Sequence, residues 1–277
     1  MKILVALLII SIVGNLFGLF VLYKFFKKDT YVKELEAKLQ RKDQVIDEVG
    51  KSLPTKMVFL HHSVGRNWLA DGLKEELAAL GVSVQSISRN CDLGMETDFN
   101  HWVPKFSDNY EAISKFDMTK DDNLGNYENE IIMFKSCYPN SDIVSEGAEV
   151  GNPVSPEKTI ANYRSVMDSL QTIFSAHPEQ KFIFVTTPPI CRSNTNTENA
   201  ARARKFTDWV INDFAKEYQT STGLNNFYVF DLHKVLADSD NMLKPEFMRR
   251  DGDSHPNEQA NRVATKAFIK FFKENLI

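Results

Sequence analysis

The chain opens on an almost unbroken apolar run. From Ile3 to Tyr23 only Asn15 is strongly polar, and a helix needs about 20 such residues to cross a hydrocarbon core. Lys2 precedes the run, Lys24, Lys27 and Lys28 follow it, and no small-residue cleavage site is in view. The pattern predicts a single-pass membrane anchor over residues 1–28 rather than a cleaved leader. From Thr30 to Lys51 the chain is charged, with Val32, Leu35, Leu39, Ile46 and Val49 on a heptad seam that Lys42 interrupts. This predicts a solvated helical stalk over residues 29–54, too short for a sustained coiled coil but able to support weak dimerisation. Ser52-Leu53-Pro54 breaks it.

Beyond the stalk, over residues 55–277, short apolar runs alternate with amphipathic stretches. The runs Met57–His61, Val82–Ile87, Glu130–Lys135, Lys181–Thr186 and Asn226–Leu232 predict strands. Arg66–Leu80, Pro156–Ala176, Thr197–Gln219 and Asn257–Asn275 predict helices. Leu69, Leu73, Leu77 and Leu80 make a stripe on the first, and Ala260, Ala264, Ala267, Phe268 and Phe271 make one on the last. Alternating strands and helices imply an α/β domain: a three-layer, flavodoxin-like, doubly wound parallel sheet of about five strands, with its site at the carboxyl ends of the strands. Cys91–Tyr127 breaks the rhythm and reads as a lid, a substrate-binding insertion or a plain surface loop.

Composition narrows the function. A formal net charge of −4 leaves no basic face for nucleic acid. Three widely spaced cysteines, Cys91, Cys137 and Cys191, form neither a disulfide framework nor a CxxC pair. No phosphate-cradling glycine loop or other cofactor motif is present. Arg202 and Arg204 read as a solvated helix face that could also meet an anionic substrate, and the Phe268–Phe272 cluster reads as core. His101 and His233 have no partner visible in the sequence.

Two segments carry candidate chemistry. Met57 to Gly65, MVFLHHSVG, is a buried strand running into a turn and a helix. It places Ser63 at a helix amino terminus, where it is either a cap or a nucleophile beside free N–H groups. Arg250 to Asn257, RDGDSHPN, sets His255 on a loop before the last helix with Asp251 and Asp253 just upstream. A loop imidazole titrates near neutrality and suits proton transfer. Pro256 pushes His255 toward extended backbone, where residues two apart share a side. Asp253 is therefore preferred as its orienting acid, with Asp251 the alternative and a Ser–His dyad a third arrangement.

Together these segments resemble the SGNH/GDSL hydrolases. That family carries its serine after the first strand and an Asp-x-x-His element, often continuing Pro-Asn, before the last helix. His255-Pro256-Asn257 matches this ending, and Lys181 to Pro189 looks like the family's fourth strand with its Thr/Pro turn. The departures are specific. His61-His62-Ser63 replaces Gly-Asp-Ser, Gly252 stands where the family has its acid, and Ser136 to Asp142 replaces Gly-x-Asn-Asp.

The resemblance implies an esterase or O-deacetylase acting on carbohydrate or cell-envelope acyl esters, or an acyltransferase. Ser63 would be the nucleophile and His255 the base. Ser63, Gly94 and Asn140 would form the oxyanion hole, with Ser136 or Cys137 as alternatives to Asn140. No cofactor is implied. Anchored bacterial hydrolases often work outside the membrane, which favours an extracytoplasmic domain, although the lysines after the anchor favour the cytoplasm. Two other readings remain: zinc held among His61, His62, Cys91, Cys137, Cys191, Asp253 and His255, and an inactive binding module on the same fold.

Overall fold

The computed structural model describes residues 55–276, together with Lys33 and Lys38. The expected anchor lies outside the described residues, as does the stalk apart from the two lysines, both helical. Among the described residues no helix is long and apolar enough to cross a membrane. Pro54–Ile277 forms a compact unit of its own.

Five strands make one parallel sheet: β1 (Thr55–Leu60), β2 (Val82–Ile87), β3 (Ile131–Phe134), β4 (Lys181–Val185) and β5 (Phe227–Phe230). Their order is β2-β1-β3-β4-β5, the flavodoxin-like sequence, so the chain reverses its winding direction at the β1/β3 pair. The central strands read as solid apolar runs because both their faces are covered. Val58 and Leu60 point into one core, Met57 and Phe59 into the other, following the two-residue period of a strand.

The first core is closed by α3 (Phe99–Ser114), α4 (Ile160–Ser175) and a helix that runs as α5 (Thr197–Trp209) through a π turn into α6 (Ala215–Thr222). The second is closed by α1 (Ser63–Trp68), which passes through a π turn into α2 (Lys74–Ala79), by the short α7 (Leu232–Leu236), and by α8 (Glu258–Asn275). Phe268 and Phe272 of α8 are fully buried there.

The reading of Cys91–Tyr127 as a lid or loop is corrected. Its middle is α3, a 16-residue crossover helix whose Phe99, Trp102, Phe106 and Ile113 are buried in the first core. The spacing of these residues is helical, but Pro104 and the polar residues between them hide the stripe. Arg202 and Arg204 are not a solvated face either. The Arg202 Nε donates to the Ile143 carbonyl at 2.6 Å, and Arg204 is paired with Asp231 at 2.9 Å and Asp208 at 2.6 Å.

Candidate active site

A parallel sheet sends every strand carboxyl end, and the helix amino terminus that follows it, to one edge. Helices α1 and α8 are neighbours on one face, tied by the Trp68 indole N–H to Thr265 Oγ1 at 2.9 Å and by Asn261 Nδ2 to Asp71 Oδ2 at 2.7 Å. The side chains of Ser63 and His255, one at the start of each helix, meet at this edge. Ser63 is the first residue of α1, and His255 lies just before Asn257, which caps α8 through the Ala260 N–H.

Local bonds shape the histidine loop. Gly252 turns it at φ 72°, and the Asp253 N–H donates to the Arg250 carbonyl at 3.0 Å. The buried Ser254 hydroxyl accepts the Cys191 N–H at 3.1 Å, pinning the loop to the exit of β4. The Arg249 N–H donates to the His255 carbonyl at 3.0 Å.

In this frame the Ser63 Oγ lies 2.8 Å from His255 Nε2. The far side of the ring, Nδ1, lies 2.6 Å from Asp253 Oδ1, which also takes the His255 N–H at 3.0 Å. An ionised carboxylate only accepts, so Nδ1 carries the hydrogen and Nε2 is left to accept the Ser63 hydroxyl proton. Asp253 reaches His255 by an Asx turn, a tighter route than the extended backbone expected from Pro256. Partial burial works against its ionisation, but the two His255 donors and nearby Arg250 outweigh this and hold the Asp253 carboxyl below the usual carboxylate range. Asp251 is exposed.

No protein-family model matches the chain, and no curated protein matches its sequence. Among solved structures it is similar to GDSL-like lipases and related hydrolases. One is a GDSL-like lipase from Bacteroides thetaiotaomicron, at 11% identity and TM-score 0.45, over 80% of this chain and 90% of that one. Another is a gut microbial diltiazem-metabolizing enzyme, at 13% identity and TM-score 0.45, over 79% of this chain and 46% of that one.

The expected oxyanion donors fare unequally. Ser63, as the first residue of α1, has an N–H with no acceptor inside its own helix. The Gly94 N–H already donates to the Cys91 carbonyl at 3.0 Å. Gly94 is needed for a different reason: a Cβ there would lie 1.7 Å from the Ser88 carbonyl oxygen. Its carbonyl accepts from His62 Nε2 at 2.8 Å. Both amide hydrogens of Asn140 have acceptors, Asp98 Oδ1 at 2.7 Å and the Cys137 carbonyl at 3.3 Å. Its Oδ1 receives the Phe99 N–H at 3.1 Å and the Tyr163 hydroxyl at 3.3 Å. Asn140 thus orders the amino terminus of α3.

Other neighbours complete the site. The Cys137 Sγ lies 3.6 Å from the Ser63 Oγ, and Tyr138 stands edge-on to the His255 ring at 4.9 Å. Cys137 was expected only as an alternative to Asn140 in the oxyanion hole, and Tyr138 not at all, because the turn Tyr138–Ser141 follows β3 at a spacing the resemblance does not supply. His61 is buried beneath α1, with Nε2 at 2.8 Å from Ser86 Oγ and Nδ1 at 2.8 Å from the His62 carbonyl. Burial pushes its pKa down to about 4. Burial also lowers that of His62, more than the Gly94 carbonyl raises it. Among the described residues no group of three or more His, Cys, Asp or Glu side chains is placed to hold a metal ion.

Proposed function

We propose that this chain is a serine hydrolase of the SGNH/GDSL type, cleaving esters through an acyl-serine intermediate. The observation that carries the reading is the 2.8 Å approach of Ser63 Oγ to His255 Nε2, with Asp253 behind the same ring. His255 takes the Ser63 proton as Oγ bonds to the ester carbonyl carbon, and the carbonyl oxygen gains the negative charge. The Ser63 N–H and the amino-terminal end of α1 face that charge. Collapse of the adduct breaks the bond to the alcohol, which leaves with the proton held by His255. Water, activated by the same imidazole, then attacks the acyl-serine and frees the acid. A sugar hydroxyl in place of water makes the reaction an O-acyl transfer.

Acetyl or other short acyl esters of carbohydrate or cell-envelope polymers are the substrate class we propose, with the domain held outside the membrane by the anchor of residues 1–28. The test is labelling by a fluorophosphonate probe together with hydrolysis of a short-chain aryl ester. Both are expected in the intact chain and both are lost in Ser63→Ala. A folded wild-type protein that neither labels nor hydrolyses would overturn the proposal and leave a binding module on this fold.

A further inference from the structure

The turn that follows β3 lies against both members of the serine–histidine pair. Cys137 enters it with extended backbone, φ −83° and ψ 168°, so its side chain and that of Tyr138 leave the chain in different directions. The Cys137 Sγ lies 3.6 Å from the Ser63 Oγ, while the Tyr138 ring stands against the His255 ring, 4.9 Å between centroids and nearly perpendicular at 80°. During acyl transfer these two neighbours border different halves of an ester. The acyl group becomes bonded to the Ser63 oxygen, whereas the alcohol leaves with the proton that His255 returns. A side chain against the imidazole therefore borders the path of the alcohol.

The turn holds Tyr138 on a fixed backbone. The Ser141 hydroxyl donates to the Pro188 carbonyl at 2.8 Å and lies 2.7 Å from Thr187 Oγ1, and the Asn140 carbonyl accepts the Tyr163 hydroxyl at 3.1 Å. A ring on such a support loses little freedom when a ligand settles on it.

Tyr138 is itself only partly buried, and its hydroxyl has no hydrogen-bond partner among the described residues. A ring present only to pack on His255 needs no hydroxyl, and phenylalanine would serve. The histidine loop is polar where it meets solvent. Arg250 and Asp251 are exposed, as is Asn194, whose Nδ2 donates to the Gly252 carbonyl at 2.9 Å. Such a rim offers no enclosed apolar pocket for a long aliphatic alcohol. It suits a pyranose, whose C–H face can lie on the apolar body of a tyrosine while its hydroxyls reach the polar tip.

We propose that Tyr138 is the specificity-determining residue for the alcohol half of the ester, taking a pyranose ring against its exposed surface and one sugar hydroxyl at its own. The inference rests on the hydrolase reading above and assigns its carbohydrate preference to one side chain. Contacts of this kind are made in substrate and transition state alike, so they act on KM and spare kcat.

The experiment compares the full chain with Tyr138→Phe and Tyr138→Ala, with Ser63→Ala as the inactive reference and circular dichroism to confirm folding. The substrates are ethyl acetate, a methyl pyranoside monoacetate, and one aryl alcohol esterified with acetate or butyrate. Tyr138→Ala is expected to raise KM for the pyranoside acetate roughly tenfold with kcat within about twofold, and to leave kcat/KM for ethyl acetate within about twofold. The ratio of acetate to butyrate hydrolysis should not move, because the acyl half lies beside Ser63. Tyr138→Phe keeps the ring and should lose only the share of the hydroxyl, roughly three- to fivefold in KM for the pyranoside. Equal losses on ethyl and pyranoside acetates would mean that Tyr138 merely props the imidazole, and would overturn the proposal. An unchanged pyranoside KM in either folded variant would do so too, as would a wild type that cleaves the aryl esters and not the pyranoside acetate. Each of these outcomes leaves the serine hydrolase standing. A folded wild type inert toward the aryl esters would overturn both.

Discussion

One oxygen of Asp253 accepts both the backbone N–H and the imidazole Nδ1–H of His255, two residues further on, at 3.0 and 2.6 Å. The double bond fixes the ring's tautomer and its direction at once. It leaves the exposed Asp251 with no part in orienting His255. Asp253→Asn keeps the shape and presents an amide, so the ring is expected to rotate or change tautomer. The expected loss in kcat is roughly 10²- to 10⁴-fold. Asp251→Asn should leave kcat within about twofold, as surface changes away from a site do. Ester hydrolysis by the two variants, with circular dichroism to confirm folding, decides between them.

The engagement of Asn140 leads to a second outcome. If its amide were an oxyanion donor, Asn140→Ala would cost about 10²- to 10³-fold in kcat. Its hydrogens instead hold Asp98 and the Cys137 carbonyl, and its oxygen holds the Phe99 N–H. Removing it strands buried groups at the start of α3. The expected effect is a loss of about 2–4 kcal/mol in stability, with kcat of the folded fraction within about tenfold of wild type. Urea unfolding and kinetics at low temperature separate the two.

How much of this was legible follows from what each residue depends on. The central strands β1, β3 and β4 could be read from their apolar runs, because burial on both faces leaves little alternation to blur them, and the half-buried edge strands β2 and β5 from their β-branched and aromatic residues. The last helix was legible from its alanine and phenylalanine stripe. Ser63 and His255 were legible as a pair only through the resemblance of the segments after the first strand and before the last helix to the SGNH/GDSL blocks, since each alone reads as a helix cap or a loop histidine. Tyr138 was not legible, since its contact with His255 depends on a turn of unexpected spacing, and Cys137 was legible only as an alternative oxyanion donor, not as a neighbour of the Ser63 hydroxyl. Gly94 suggested a donor, while its requirement is the close passage of Ser88, which no local pattern encodes.

The crossover helix α3 was hidden for a related reason, and its burial can be tested. Trp102 and Phe106 are fully buried, in edge-to-face contact with Phe134 at 5.2 Å each. The Trp102 indole also donates to Ser136 Oγ beside the site. Truncation of a closing lid would change KM or kcat and spare stability. Phe106→Ala is expected instead to cost about 3–5 kcal/mol of unfolding free energy, the range for a buried phenylalanine. Denaturant titration measures it directly, and a change below about 1 kcal/mol would return this segment to the role of a mobile cover.

Two buried histidines set the response to acid. Burial pushes the pKa of His61, and that of His233, down to about 4 from an ordinary value near 6.5. His233 is wholly buried, and neither ring nitrogen has a hydrogen-bond partner among the described residues. Between pH 6.5 and 4 the unfolded chain binds protons at both positions that the folded chain refuses. Stability is therefore full above the unfolded pKa and falls as the pH drops toward the folded one. Each histidine accounts for up to about 3 kcal/mol of that fall. His233→Leu replaces an unpaired polar ring by an apolar side chain, so it is expected to unfold at equal or higher denaturant at pH 5 and to flatten the slope between pH 6.5 and 4. His61→Leu should flatten the slope too but lower stability at pH 7, because it strands Ser86 Oγ and the packing under Gly65, where a Cβ would already lie 2.4 Å from that of His61. A slope unchanged in His233→Leu would mean that its ring is protonated in the folded protein. The Arg204 guanidinium, which disfavours charge on that ring, would then have to be offset by Asp231 and Asp208 more fully than their mutual pairing with Arg204 allows.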